Sequence, residues 1–361
     1  MIAAYIDMSK AFNRVDHNIL IQDFYDMKCP NWLLKILFSF LSKRTLVLKY
    51  KDKFSSPKEL DAGAPAGTLL GVIIFIVKFN SALLRPPIRK PLTIKSEGVK
   101  AKYMDDISTA VSVPLDENVI VNNILPAEEN LLQIYMDDLE EFTKSNNMKI
   151  NHSKSKVMQF RRSNKCEFPI KVSFENEPPL EEIDSTKLLG IMISNDLKWE
   201  NNTKFICSKA RKKIYLLRNM KKSGLTKTQL IDAYKKEIRS ILELAVPVWG
   251  SGLTLDQSVK IERVQKSSLA AIFGEEYNSY EEALKMAKLE RLSKRRNDIS
   301  LRFIQKNMKS KFPLLEFQNK CYNTRSDKMA VKEFQCRTSS YFNSSLPYLA
   351  RQYNANLKFT K

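Results

Sequence analysis

Between Val99 and Val113 the apolar residues fall on alternate positions: Val99, Ala101 and Tyr103, then Ile107, Thr109, Val111 and Val113. The tetrapeptide Tyr103-Met104-Asp105-Asp106 sits in the middle of them. Alternation of this kind marks strands with one buried face. The chain is therefore expected to fold back at the acidic pair, with its carboxylates at the tip of a hairpin. A second apolar strand, residues 2–6, ends on a third acid, Asp7.

The same tetrapeptide occurs again as Tyr135-Met136-Asp137-Asp138, and its surroundings have a different period. Leu132, Tyr135, Met136, Leu139 and Phe142 form one side of a helix expected to open at Pro126 and run to about Asn146. There the apolar half of the motif faces the core and the acids face solvent. Periodicity thus assigns any chemistry to the first copy. An Asp at a strand end with further Asp residues in a hairpin turn suits two divalent cations about 4 Å apart. Nucleotidyl transfer needs that arrangement, to activate a 3'-hydroxyl and to neutralise departing pyrophosphate.

Around these segments the sequence predicts an α+β fold. Asp16 caps a helix to about Met27, and a second helix covers 30–41. Residues 45–50 and 53–60 read as a strand pair. Gly63-Ala64-Pro65-Ala66-Gly67 is a turn feeding an apolar helix that ends near Leu84. Strands are expected at 156–160 and 187–193. After Trp199 the pattern becomes helical, with Ser279 and Glu282 as a capping-box signature. The tail beyond Phe312 is aromatic, polar and expected to be irregular.

Charge narrows the partners. Sixty Lys and Arg against 40 Asp and Glu leave a net +20, which points to a polyanion. No apolar run approaches the roughly 20 residues of a membrane span, so no membrane partner is expected. Five scattered Cys and two His offer no zinc-binding spacing, and a reducing, intracellular compartment fits them. The chain is expected to run straight into a strand, with no secretory signal. Residues 203–231 hold Lys204, Lys209, Arg211, Lys212, Lys213, Arg218, Lys221, Lys222 and Lys227 and no acid. Ile206, Ala210, Ile214 and Leu217 form an apolar stripe behind them. Such a helix is suited to lie along phosphates; the plainer reading is a solvated helix face.

Several segments together resemble reverse transcriptases of non-LTR (LINE-like, jockey/CR1-type) retrotransposons. Residues 5–17 (YIDMSKAFNRVDH) resemble the first palm motif, 63–71 (GAPAGTLLG) the second and Tyr103 to Asp106 the third. Residues 147–151 (NMKIN) with Lys154, Lys156 and Phe160 are similar to the fourth, and Lys187-Leu188-Leu189-Gly190 to the primer grip. The likeness continues through Leu197-Lys198-Trp199, Val248-Trp249, residues 261–266 and residues 280–284 to the tail.

That resemblance implies a right-hand polymerase: an antiparallel palm over 1–198, a helical thumb over 199–310 and a C-terminal tail over 311–361, without fingers. It implies RNA-directed DNA synthesis on an RNA template and DNA primer from deoxynucleoside triphosphates, in nucleus and cytoplasm. Two Mg2+ ions, replaceable by Mn2+, would be held by Asp7, Asp105, Asp106 and the Met8 carbonyl. Lys154 matches a residue that assists pyrophosphate departure, or else is simply solvated. Phe12 matches the residue that excludes a ribose 2'-hydroxyl, its alternative role being core packing. Gly63, Pro65 and Gly67 would lie by the incoming nucleotide. Leu189 and Gly190, with Lys204, Lys209, Arg211, Lys212, Lys213 and Arg218, would contact nucleic acid. Two departures stand out. Ala66 occupies a position where the family usually has Gln, and the sequence starts at the first palm motif. A binding remnant without catalysis is the alternative these departures raise, and the 361-residue chain alone is expected to bind duplexes but not extend them.

Overall fold

The computed structural model describes residues 1–65, 67–84, 98–103, 106–111, 130–160, 171–308, 331–336 and 338–358. Two compact units divide the chain at 184/185.

In the first unit, β1 (Ile2–Ile6) leads through a 3-10 turn at Ala11–Arg14 to α1 (His17–Asp26) and α2 (Asn31–Leu41). As the sequence predicts, Asp16 caps α1, accepting from the amides of Asn18 and Ile19. The expected strand pair is instead two short ladders. β2 (Arg44–Leu46) pairs with β5 (Lys58–Leu60), and β3 (Lys49–Tyr50) with β4 (Lys53–Phe54). Then come α3 (Leu69–Leu84), the hairpin of β6 (Gly98–Tyr103) and β7 (Asp106–Val111), α4 (Leu131–Ser145), β8 (Lys156–Gln159) and β9 (Glu181–Glu182).

Five strands form one sheet in the order β6-β7-β1-β8-β9. All neighbours are antiparallel except β8 and β9, so the expected antiparallel sheet is mixed at one edge. β1 is central, which is why Ile2, Ala3, Ala4 and Ile6 are all buried despite pointing to both faces. On β7 the buried positions are Ile107, Thr109 and Val111, the parity read from the sequence. Leu132, Met136, Leu139 and Phe142 of α4 join Phe75 and Phe79 of α3 and Leu20 and Phe24 of α1 in the core. The first described turn of α4 is capped by Asn130, through the amides of Leu132 and Gln133. The expected start at Pro126 lies outside the described residues.

A charged side chain lies inside this core. Lys78 is fully buried on α3, and its ammonium donates to the Asp23 carboxylate of α1 at 2.8 Å. Removing one partner of a buried pair leaves the other uncompensated, at about 3–5 kcal/mol. Asp23 retains 22% exposure, so Lys78→Ala should fall near the lower end of that range by urea denaturation. The double replacement Lys78→Met/Asp23→Leu should recover most of the loss. A shift below about 1 kcal/mol for Lys78→Ala would remove the pair from the list of structural determinants.

The second unit opens with the hairpin of β10 (Ser185–Leu188) and β11 (Ile191–Ser194). The single strand expected at 187–193 therefore turns in its middle. Leu189 and Gly190 both have positive φ (48° and 87°), the two-residue turn that matches strand twist. A Cβ at Gly190 would also stand 2.9 Å from Leu244.

Helices follow: α5 (Glu200–Lys222), α6 (Lys227–Tyr234), a π-helical turn at Lys235–Arg239, α7 (Ser240–Glu243), α8 (Val246–Trp249), α9 (Leu255–Phe273), α10 (Tyr280–Ala287) and α11 (Leu292–Met308). Complete capping boxes at Thr226/Gln229 and Thr254/Gln257 start α6 and α9. At Ser279 only the side-chain half of the box, to the Glu282 amide, is present. The stripe Ile206, Ala210, Ile214 and Leu217 is buried with Tyr234, Trp249, Ile261 and Val264.

The tail is irregular only in part where it is described, residues 331–336 forming no helix or strand. It forms α12 (Ser339–Phe342) and α13 (Ser345–Lys358). Leu346, Leu349, Ala350 and Tyr353 of α13 pack with Ile304 and Val331. Their i, i+3, i+4, i+7 spacing is a helical stripe, and burying it against α11 outweighs the polar remainder.

Candidate active site and nucleic-acid face

Asp7 follows the last residue of β1, and four backbone-level contacts fix its position. Its carbonyl accepts from the Asn151 amide at 2.8 Å, and its amide donates to Ser155 Oγ at 3.3 Å. Ser155 is itself buried and donates to the Asn151 carbonyl at 2.9 Å. The Ser9 amide donates to the Lys149 carbonyl at 2.8 Å. These bonds flank an antiparallel bridge between Met8 and Ile150. In a bridge so flanked, the amide and carbonyl of the middle residue point away from the partner strand. The Met8 carbonyl is thus directed away from Ile150, while its side chain is buried in the core.

The register Ile6↔Ile107 leads, one step on, to Asp7 and Asp106 at adjoining strand positions. Tyr103↔Asp106 closes the hairpin of β6 and β7. Asp105 and Met104 lie outside the described residues. Lys154 follows the same turn as Asn151, and its ammonium stands 3.7 Å from Asp7 Oδ2. With Lys154 69% exposed and Asp7 30%, this pair contributes little to stability and leaves the carboxylate accessible. An accessible carboxylate beside an outward carbonyl is a donor set of hard oxygens, which fits a divalent cation such as Mg2+.

Phe12 is half-buried, its ring stacked on buried Phe75 at 4.1 Å and 5°. Phe75 in turn meets Phe79 at 4.4 Å. One face of the Phe12 ring is thus core, and the residue still reaches the surface. The loop at 63–65 is fastened to it. Ala64 donates to the Phe12 carbonyl and Gly63 to that of Val15, each at 2.8 Å. His17 Nε2 lies 2.9 Å from the Gly63 carbonyl, a link that composition gave no reason to expect. Pro65 is buried, and Gly67 has φ 79°. Ala66 lies outside the described residues. At the start of α3, Thr68 Oγ1 donates to the Pro65 carbonyl at 2.8 Å and accepts from Gly71 at 3.0 Å. Any Cβ on Gly71 would fall 2.1 Å from that carbonyl, which explains a glycine inside an apolar helix.

Asn147 Nδ2 donates to Asp16 Oδ2 at 2.9 Å, tying the fourth motif to the first. Burial opposes the Asp16 charge, but donors from Ile19, Asn147 and Asn18 and the Lys78 charge together hold its carboxyl below the ordinary value. Asp137 and Asp138 lie on α4, as periodicity required, and Asp137 accepts from Gln133 on the same helix at 2.7 Å.

In the second unit, α5 presents the basic residues. The sequence counted no compensating acid nearby, but the fold supplies three from outside the stretch. Lys204 meets Glu200 at 3.6 Å, Lys213 meets Glu237 at 3.0 Å, and Lys227 pairs with Glu276. Among the described residues, Lys209, Arg211, Lys212, Arg218 and Lys222 have no acid partner, and all are exposed. Arg211, Tyr215, Arg218 and Lys222 follow i, i+4, i+7, i+11 along one face, with the Tyr215 ring 68% exposed. Leu189 of the β10–β11 turn is exposed as well.

Residues 2–193 match the family described as "Reverse transcriptase (RNA-dependent DNA polymerase)". Two Drosophila melanogaster proteins are similar. The probable RNA-directed DNA polymerase from transposon BS is 25% identical over 75% of this chain and 28% of its own length. The RNA-directed DNA polymerase from mobile element jockey is 32% identical over 46% of this chain and 17% of its own. The chain thus spans less than a third of the curated relatives it matches. Among solved structures, apo telomerase from Candida tropicalis aligns with a TM-score of 0.41 and 12% identity, covering 84% of this chain and 45% of that one.

Proposed function

The chain belongs to the reverse transcriptase family, and from that premise we propose that it carries the palm and thumb of a retrotransposon RNA-directed DNA polymerase. The observation that supports this most is the pinned Asp7, held at a strand end with Lys154 beside it and Asp106 one register step away. Asp7, Asp105, Asp106 and the Met8 carbonyl would hold two Mg2+ ions. When bound there, the metal would supply a lowered pKa of the primer 3'-hydroxyl and compensation for the charge of departing pyrophosphate. The Lys154 ammonium, 3.7 Å from Asp7 Oδ2, would give a proton to that leaving group. Gly63, Pro65 and Gly67, fastened beside Phe12, form the wall for the incoming nucleotide. The second unit supplies phosphate contacts from α5 and, at Leu189 and Gly190, a turn for the primer.

Phe12 gives the test. With its ring fixed against Phe75, it leaves no room and no hydrogen-bond partner for a 2'-hydroxyl. On an RNA template, deoxynucleotides should be incorporated far more readily than ribonucleotides. Phe12→Ala should narrow that preference by about 10-fold or more while keeping deoxynucleotide use, since steric exclusion is worth a few kcal/mol. The assay would run on the chain itself and on a fusion to the segment preceding the matching region in the jockey relative. An unchanged sugar preference would return Phe12 to a purely structural role. Absence of extension in both proteins would overturn the polymerase reading.

A further inference from the structure

The ribbon formed by β2 to β5 takes no part in the site described above, and its surface is unusual for a region with no partner. Leu48, Tyr50 and Phe54 are among the most exposed apolar residues of the protein, Tyr50 at 75% and Phe54 at 66%. Cations are interleaved with them: Lys43, Arg44, Lys49, Lys51, Lys53 and Lys58, against only Asp52 and Glu59. Among the described residues none of the six is paired with an acid. Three of them approach rings instead. Lys49 lies 5.4 Å from the Phe54 centroid, Lys51 5.7 Å from that of Tyr50, and Arg44 5.6 Å from that of Phe40.

Register sharpens the picture. Tyr50 pairs with Lys53 and Phe54 with Lys49, so each aromatic has a cation directly across the ladder. Tyr50 and Phe54 therefore stand on opposite faces of the ribbon, and both faces are exposed. A two-stranded ribbon is marginal by itself. An apolar protein partner would have to desolvate six cations to cover these rings, with only Asp52 and Glu59 on the ribbon to offset the cost. A single-stranded nucleic acid meets both features at once, because phosphates answer the cations and bases stack on rings. A duplex meets only the first, since its bases are hidden in the stack.

We propose that the ribbon at residues 43–60 is a binding site for single-stranded nucleic acid, which passes over its tip with bases against Tyr50 and Phe54. Only the identity of that strand as unpaired template rests on the polymerase reading; the binding itself does not.

Fluorescence anisotropy of the 361-residue protein with a labelled 12-nucleotide oligouridine RNA, beside a blunt RNA–DNA duplex of the same length, tests this. Tyr50→Ala/Phe54→Ala should weaken single-strand binding at least about 10-fold, given the cost of losing base–aromatic stacks. Duplex binding should stay within about 2-fold. Tyr50→Phe should keep the affinity, because stacking uses the ring and not the hydroxyl. Lys49→Gln/Lys51→Gln/Lys53→Gln should lower the salt slope for the single strand by about 2. Should the double alanine variant fail to fold, Tyr50→Trp supplies the answer, since the emission it adds to that of Trp32, Trp199 and Trp249 should be quenched on adding the oligouridine beyond any quenching in the unaltered protein. Unchanged single-strand affinity, equal loss for both ligands, or no added quenching in the Tyr50→Trp variant would overturn the proposal and leave the ribbon as a surface for another class of partner. Single-strand affinity unchanged in the double alanine variant, with primer extension by the unaltered protein intact, would sink the ribbon alone. Intact single-strand binding with no extension by either the chain or its fusion would sink the polymerase reading alone.

Discussion

In the fusion to the segment preceding the matching region in the jockey relative, Asp7→Ala is expected to lower metal-dependent primer extension by about 10^3-fold or more, the scale on which losing one group that stabilises transition-state charge is felt. The substitution removes only the carboxylate. The backbone bonds to Asn151 and Ser155 do not involve that side chain, so β1 keeps its place and thermal stability should change little. Asp105→Ala should cost as much, on the sequence argument that places it at the same metals. The contrast is Asp137→Ala/Asp138→Ala on α4. There the helix keeps its buried stripe of Leu132, Met136, Leu139 and Phe142, and extension should stay within about 2-fold. Abolished activity in the α4 variant with activity retained in Asp105→Ala would mean that the wrong copy of the tetrapeptide had been assigned to catalysis.

The second large effect concerns nucleic-acid affinity. Arg211, Arg218 and Lys222 lie along one exposed face of α5 with no acid partner among the described residues. If each neutralises one phosphate, Arg211→Gln/Arg218→Gln/Lys222→Gln should lower the slope of log K against log salt by about 2.7. At 0.15 M salt that corresponds to about 10^2-fold weaker duplex binding. The matched control is Lys204→Gln/Lys213→Gln/Lys227→Gln, which removes the same charge from residues that Glu200, Glu237 and Glu276 already engage. Its effect on the slope should be smaller. Equal slopes for the two triples would show that net charge alone governs binding and that the α5 face has no special role.

Much of this is legible in the sequence. The parity of Ile107, Thr109 and Val111, the cap at Asp16 and the stripe of α5 are local patterns, and local patterns survive folding when burial reinforces them. The departures share a cause. Residues 187–193 look like one strand because a positive-φ turn at Leu189 is invisible to hydropathy. The tail reads as irregular because four apolar positions among polar ones are a weak signal until α11 supplies a surface to cover them. Lys78 breaks the apolar run of α3 and would be taken for a surface residue, yet Asp23, 55 positions away, draws it into the core.

The sequence by itself determined the family, the α+β class, and which Tyr-Met-Asp-Asp copy lies in a hairpin and which in a helix. These depend on residue order and on period, both of which are properties of the chain read along its length. Only the tertiary structure decided what stands beside Asp7 and which cations remain free. Ser155 and Lys154 reach Asp7 across nearly 150 residues because β8 pairs beside β1. Glu276 reaches Lys227 across 49 residues. Contacts of that separation are selected by the packing of whole elements, where burial of two distant apolar faces outweighs the entropy of closing the loop between them. No local pattern encodes that balance, so the charge left for a nucleic acid could be counted only on the folded protein.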